Sequence, residues 1–457
     1  MSKDFKIINK KLEAFVLAYD EIVSYDTNIK FENFNNISTD SRHINQNDLF
    51  IALNGENFKG HEFVPDVIKK GASFFVTEKE TGQPKQILVK STLNFIQDLA
   101  TYILKDIKEL KIFGITGTNG KTTTKEILTN ILKEHFNVLA TKGNLNNQIG
   151  LPLTIFNLKN TDQILVLEMG TNSKGEIEKL AKIARPQFGA ITNIGKGHTE
   201  GLVDKENIFL EKSNIVKYFN SDSVFAFNMD DEFINMFFSK FKYKKISYGI
   251  KNKADIRAEN IQEGYSKFNL IYRNNKYPVS LKAPGINNIY NALCSASLAI
   301  QSGLDMELIV KGVESFEGIN NRFKIIELPN ENIIINDTYN ANPDSTIRAI
   351  EMTNKIFPEK KRVAILGSML ELGETSSLEH TKIGEYLNNN EFTEFYCFGN
   401  NSLDYKKNLS SNIKFVEITD HSEIKKYIDL NSIKNTVILV KGSRGMKMER
   451  IFTSLGL

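Results

Sequence analysis

The segment GITGTNGKTTTKEIL, residues 114–128, constrains the fold more than any other stretch of the chain. An apolar run, KIFGIT, enters a loop that holds Gly117 and Gly120, after which Ile127, Leu128, Ile131, Leu132 and Phe136 recur at helical spacing. Strand, glycine turn and amphipathic helix in that order make the first unit of a parallel sheet with crossover helices. The turn also suits an anion. Its glycines let backbone N–H groups of Thr118, Asn119 and their neighbours approach phosphate closely, and the helix beginning near Lys121 points its positive end at the same place. Lys121 would offset β- and γ-phosphate charge, the Thr122 hydroxyl would hold Mg²⁺, and Thr123 lies on the same first turn. A glycine-rich turn that binds nothing is the plain alternative. The general nucleotide-loop pattern places a further glycine five residues before the Gly-Lys pair, where this chain has Ile115.

The rest of the chain divides around this unit. A chain of 457 residues exceeds a single core, and its pattern changes twice. Residues 1–107 carry short strand runs, DLFIAL (48–53) and ASFFVT (72–77), among polar turns. Residues 108–318 alternate strands and helices, with ILVLEMG (164–170) and FGAITNI (188–194) as buried strands. Residues 319–457 alternate again, through NIIIND (332–337), RVAILG (362–367), EFYCFG (394–399) and TVILVKG (436–442). The expectation is an α/β protein of three domains: a small N-terminal one, a central nucleotide-loop ATPase-like parallel sheet, and a C-terminal Rossmann-like sheet. Ligands of such sheets sit at the carboxyl ends of strands.

Composition excludes several classes. Charged residues are 25% of the chain and the formal net charge is +3, with both signs interleaved, so no nucleic-acid surface is expected. Cys294 and Cys397 are the two cysteines, far apart and without metal-ligand spacing. The N-terminal residues mix charge into every apolar run, unlike a signal peptide, and no run approaches the roughly 18 apolar residues of a membrane span. A cytoplasmic, monomeric protein is expected.

Two further residues draw attention. Glu168 ends a buried strand run, where a carboxylate needs a cation or donor. His198 follows another, in NIGKGHTEGL, and a lone histidine is more often structural than a ligand.

The loop fits the variant TGTNGKT, which resembles the signature of the Mur ligase family and of the related folylpolyglutamate synthases. The resemblance extends over nearly the whole chain. It implies ATP, with two Mg²⁺ ions at Thr122, Glu168, His198 and Lys212, and a catalytic set of Lys121, Glu168, His198 and Lys212. In FLEKSNIV, Lys212 matches the family lysine that CO₂ carbamylates. APGINNIYNAL matches the family's adenine-contacting helix opening at Asn288 and Asn291, with Asn287 where histidine is usual. Arg322, Asp337 and Tyr339 match the third domain's nucleotide contacts.

Substrate residues follow in the same way. ISTDSRHINQNDLFIALNGENFKGHEF resembles the segment that seats a UDP-linked substrate, through Asp40, Ser41, Arg42 and His61, with Lys59 in place of aspartate. ATKGNLNNQIGLP supplies Asn144, Asn146 and Asn147 toward the muramoyl substrate. YNANP supplies Asn340 and Asn342, and VKGSRGMKME supplies Lys441, Ser443 and Arg444 as candidates for the acceptor carboxylate. LGSMLELGE matches too, with Ser368 where aspartate is usual. YNANP is typical of the member that joins D-alanyl-D-alanine to UDP-N-acetylmuramoyl-tripeptide. The alternatives are a sibling adding the third stem amino acid, a folylpolyglutamate synthase, and a nucleotide-dependent switch or binding protein.

Overall fold

The computed structural model describes residues 6–32, 34–55, 58–105, 107–195, 204–238 and 241–457. Three sheets follow one another along the chain. The first has β1 (Ile22–Tyr25), β2 (Ile37–Ser38), β3 (Leu49–Ile51), β4 (Phe74–Thr77) and β5 (Gln86–Val89), ordered β1-β5-β4-β3-β2. Only the β1–β5 pairing is antiparallel.

The central sheet has nine strands: β6 (Lys111–Thr116), β7 (Val138–Ala140), β8 (Ile164–Glu168), β9 (Phe188–Ile191), β10 (Val224–Asn228), β11 (Lys244–Gly249), β12 (Ile256–Glu259), β13 (Lys267–Tyr272) and β14 (Asn275–Ser280). They are ordered β14-β13-β12-β11-β10-β9-β6-β8-β7, which puts the strand entering the phosphate loop inside the sheet, between β9 and β8. Neighbouring residues along these strands face opposite layers, and both layers are covered. Ile164 and Val166 pack with Ile127, Leu128 and Ile131 of the loop helix, whereas Leu165 and Leu167 pack on the opposite face with Leu180 and Ile177.

The sequence pattern implies parallel strands throughout this region, and the structure adds an antiparallel edge. β12, β13 and β14 pair antiparallel, and β13 turns into β14 through Arg273 and Asn274, both at positive φ (48° and 65°). That is the turn geometry a two-residue hairpin needs, and Asn tolerates it well. KFNLIY buries Phe268, Leu270 and Ile271, but its partner NKYPVS, interrupted by Pro278, is too polar to stand out from a loop.

The third sheet holds β15 (Lys324–Glu327), β16 (Ile333–Asp337), β17 (Lys361–Gly367), β18 (Phe392–Phe398), β19 (Lys414–Ile418) and β20 (Thr436–Lys441), ordered β15-β16-β20-β17-β18-β19. β15 alone runs antiparallel. The carboxyl ends of β6, β8, β9 and β10 open onto one cleft, across from the carboxyl ends of β16 and β20. Among the described residues no helix is long and apolar enough to cross a membrane.

Candidate active site

The phosphate loop is shaped by what cannot fit there. Gly117 has φ +147°, and a Cβ on it would lie 1.9 Å from the Thr192 hydroxyl oxygen. Gly120, at φ +83°, caps the Lys121–Lys133 helix, and a Cβ there would lie 2.5 Å from Asn291 Oδ1. Both positions therefore demand glycine. The outer side of the loop is tied to the end of β9: the Asn119 N–H donates to Asn193 Oδ1 (3.1 Å), while Thr192 Oγ1 and Asn193 Nδ2 donate to Asn119 O (2.6 and 2.8 Å). Lys121 folds back, its Nζ donating to the carbonyls of Gly117 (2.7 Å) and Thr118 (3.1 Å). Enclosure lowers its pKa, helped by nearby Arg322 and opposed by Glu168. Such a lysine gains by exchanging two neutral carbonyls for phosphate oxygens.

Beside the loop lie two buried groups with unused bonding capacity. Glu168 ends β8 and is 2% exposed. Its Oε1 accepts from Asn146 Nδ2 (2.8 Å), while Oε2 has no partner among the described residues. Lys212, on the Lys205–Ser213 helix, is 1% exposed and its Nζ is likewise unpartnered. Burial drives its pKa well below the ordinary lysine value, Lys121 adds to the fall, and Glu211 opposes it. The neighbouring Glu211 sets this geometry, because its carboxylate accepts from the N–H groups of Gly175 (2.6 Å) and Ile177 (2.7 Å) at the start of the Glu176–Ala184 helix. Glu168 and Lys212 are thus two buried polar groups that the described fold leaves with bonding capacity to spare. His198 lies outside the described residues.

The third domain completes the cleft, whose volume is about 650 Å³. Arg322 donates through Nη2 to Thr122 Oγ1 (2.9 Å) and lies 3.9 Å above the Tyr339 ring. Asn342 Nδ2 donates to Asn119 Oδ1 (3.0 Å). Thr118, Asn119, Thr122, Thr123, Asn144, Asn147, Asn288 and Asn340 also line the cleft. Asn291 sits deeper, 6% exposed, with Oδ1 accepting from Thr124 Oγ1 (3.3 Å), and Asn288 Nδ2 donates to the carbonyls of Ala283 and Pro284 (both 3.2 Å). These two asparagines therefore hold the opening of the Ile286–Ala299 helix as well as facing the site.

Other anticipated residues are placed differently. Lys441 lines the cleft at its floor; it is 2% exposed and bonds Asp337 Oδ2 (2.5 Å) and Asn340 O (2.9 Å), which already occupy its ammonium. Ser443 is also buried; its hydroxyl donates to Ala341 O (3.1 Å) and accepts from the Leu370 N–H (2.8 Å). Of the three candidates for an acceptor carboxylate only Arg444 presents its guanidinium outward, touching Glu449 (3.3 Å). Asp40, Ser41, Arg42 and His61 stand in the first domain, apart from the residues lining the cleft. Asp40 Oδ2 pairs with Arg42 Nη2 (2.6 Å) and His43 Nδ1 (3.1 Å), and the Arg42 bonds hold its carboxyl well below the usual range.

Several lining residues escape the sequence reading. Thr192 and Asn193 follow a strand end and were reachable by the strand-end rule alone. Asp231, whose pKa burial raises although the Ile194 N–H donates to it (2.7 Å), carries the same signal. Arg348, two turns into a helix, carries none.

Three family models match the chain: "Mur ligase family, catalytic domain" over residues 33–105, "Mur ligase middle domain" over 115–299, and "Mur ligase, glutamate ligase domain" over 321–444. A protein of Buchnera aphidicola subsp. Baizongia pistaciae named UDP-N-acetylmuramoyl-tripeptide–D-alanyl-D-alanine ligase is 35% identical over 437 residues, with 92% of each chain covered. Among solved structures, MurF from Acinetobacter baumannii superposes with a TM-score of 0.85 at 30% identity, covering 92% of this chain and 93% of that one. The MurF ligase of Thermotoga maritima in complex with ADP gives a TM-score of 0.81 at 29% identity, covering 92% and 96%.

Proposed function

Because the chain belongs to the Mur ligase family, we infer that it is an ATP-dependent amide ligase that joins D-alanyl-D-alanine to UDP-N-acetylmuramoyl-tripeptide in peptidoglycan precursor synthesis. The observation that carries this reading is one cleft in which the phosphate loop, a buried carboxylate and a guanidinium from the third domain face each other, in a chain alike over 92% of its length to relatives bearing that activity in their names.

The tripeptide carboxylate attacks the γ-phosphorus of ATP and ADP leaves, giving an acyl phosphate. The dipeptide amine then attacks the acyl carbonyl, loses a proton, and phosphate departs. Lys121 turns from its loop carbonyls to the β- and γ-phosphates. Arg322 turns from Thr122 to spread charge from the transferring group, its plane held by Tyr339. Thr122, Glu168, His198 and Lys212 would hold Mg²⁺, which supplies Lewis-acid neutralisation of phosphate charge. The fit rests on the unpartnered Glu168 Oε2 and Lys212 Nζ. Burial lowers the Lys212 pKa and so favours the neutral amine, the form that CO₂ would convert to a carbamate, turning a cation into an oxygen donor.

The first domain, residues 1–107, receives the UDP end through Asp40, Ser41, Arg42 and His61. The central one, 108–318, binds ATP, and the third, 319–457, brings the dipeptide, with Arg444 toward its carboxylate. We place the protein in the cytoplasm, acting as a monomer. The test is phosphate release with ATP, Mg²⁺ and UDP-N-acetylmuramoyl-tripeptide, comparing D-alanyl-D-alanine, single amino acids, folate with glutamate, and no acceptor. Turnover should require the dipeptide; equal turnover without an acceptor would make the protein a nucleotide switch.

A further inference from the structure

One helix of the third domain touches the central domain along its whole length. The Pro343–Ile356 helix is capped by Asn342, whose amide works in two directions: Oδ1 accepts from the Ser345 N–H (2.9 Å) while Nδ2 donates to Asn119 in the phosphate loop. Two turns on, Arg348 Nη1 donates to Asn287 Oδ1 (3.3 Å), and its Nε holds the Asp344 carbonyl (3.2 Å). One turn further, Met352 packs against the same opening. Asn287 Nδ2 lies 3.9 Å from its sulfur, and a Cβ on Gly285 would meet its methyl carbon at 2.1 Å. Lys355 then lies 5.7 Å over the Tyr265 ring. Arg348, Met352 and Lys355 are spaced i, i+4, i+7, a single helix stripe.

This stripe joins the phosphate loop at one end to the start of the Ile286–Ala299 helix at the other, and Arg348 and Met352 also line the cleft. Any outward rotation of the third domain breaks all of its contacts together. Because every bond in it is polar and partly exposed, or a single methionine contact, the interface suits reversible closure better than permanent docking.

We propose that this helix is the strut that couples closure to ligation, with Arg348 as a positioning residue: its contact with Asn287 keeps the third domain seated over the acyl phosphate, so that the dipeptide amine reaches the carbonyl before water does. The inference rests on the ligase reading above. When the strut fails, water attacks the acyl carbonyl, phosphate leaves, the tripeptide carboxylate is regenerated, and ATP is spent without an amide bond.

Phosphate and amide product are measured together in the full-length protein, in Arg348→Ala, in Asn287→Ala and in the double variant. Each single variant should raise the phosphate-to-amide ratio about fivefold, the lower edge of coupling between sites. In Arg348→Ala, KM for D-alanyl-D-alanine should rise while ADP affinity, by calorimetry, stays within about twofold. The double variant should be no worse than either single one. An unchanged ratio in both single variants, or a double effect equal to the product of the two, overturns the proposal. Small-angle scattering of the ligand-free proteins reads closure without the reaction: Arg348→Ala should enlarge the radius of gyration, and an unchanged radius sinks the strut even if the wild type ligates as expected. A wild type that forms no dipeptide-dependent amide, with the scattering shift present, instead removes the ligase reading.

Discussion

Two charged clusters of this protein carry equally distinctive sequence motifs, yet they are built on opposite energetic terms. Around Asp40 the polar atoms satisfy one another: the Arg42 side chain reaches the carboxylate through Nε and Nη2, the Arg42 N–H donates to the same group, and Lys70 covers the Ser41 carbonyl. Around the phosphate loop they do not. Glu168 Oε2, Lys212 Nζ, Arg322 Nε, Asn119 Nδ2 and Thr116 Oγ1 are buried without partners among the described residues. A buried polar atom lacking a partner costs about 1–3 kcal/mol. The central site thus keeps buried polar atoms unsatisfied, whereas the first-domain cluster is complete as it stands.

The largest effect belongs to Lys121, although its ammonium already has two carbonyl partners. Replacing Lys121 with Ala removes the one cation that the loop itself encloses, and ligation should fall by at least about 10³-fold, the upper range for removing one preorganised electrostatic contact. Amide formation measured by product chromatography checks this. Lys212 comes next. Lys212→Met should lower activity by roughly 10²-fold, yet raise the melting temperature, since it removes a buried nitrogen that has no partner. The pH dependence has a definite sign. With the folded-state pKa well below 10.5, the unfolded chain binds the extra proton between the two values, so this lysine makes stability rise with pH across that window. The Met variant should lose that part of the slope in denaturant titrations at several pH values. A variant that melts lower, with an unchanged slope, would refute the unpartnered-amine account.

Legibility in the sequence follows the same division. The loop and its strand were plain because glycine is forced at 117 and 120 by backbone φ and by neighbours within 2.5 Å, so geometry leaves a mark on residue type. The end of β8 was readable because a glutamate terminates an apolar run. The partners of Lys441 were not. A lysine at the end of a buried strand looks the same in sequence whether or not it also pairs with a neighbouring strand, as Lys441 does with Asp337 across β16 and β20 while lining the cleft. Arg348 gave no signal because its role depends on which helix faces which domain, a tertiary fact with no local period. The β13–β14 hairpin was missed at its edge, where β14 (NKYPVS) is mostly exposed and interrupted by Pro278, so β13, although apolar and buried at Phe268, Leu270 and Ile271, lacked a partner legible in the sequence.

Arg322 lies between the two extremes, since it has both a partner in Thr122 and an unpartnered Nε. Arg322→Lys keeps the charge but loses the fork and the flat face over Tyr339, so kcat should fall about tenfold to a hundredfold with KM for the UDP substrate unchanged. Tyr339→Leu removes the stacking surface and should reproduce the smaller part of that loss; an equal loss in the two variants would mean that the stacking on the ring, not the guanidinium fork, is what matters.

The smallest effect belongs to Arg42, and it distinguishes a self-satisfied cluster from a loaded one most directly. Its guanidinium is exposed and its ion pair with Asp40 is a surface one, so Arg42→Ala should leave the melting temperature nearly unchanged. Asp40 still accepts from the Arg42 backbone N–H, which caps the short Ser41–His43 turn whatever side chain stands there. The loss should appear in KM for the UDP-linked substrate, raised roughly tenfold as a charge-assisted contact disappears, with kcat intact because the reacting groups are held elsewhere. Added salt should narrow the gap between wild type and variant, as the contact is screened. If kcat falls together with kcat/KM while KM stays fixed, Arg42 acts on the transition state, and the first domain must then reach the phosphate loop during the reaction.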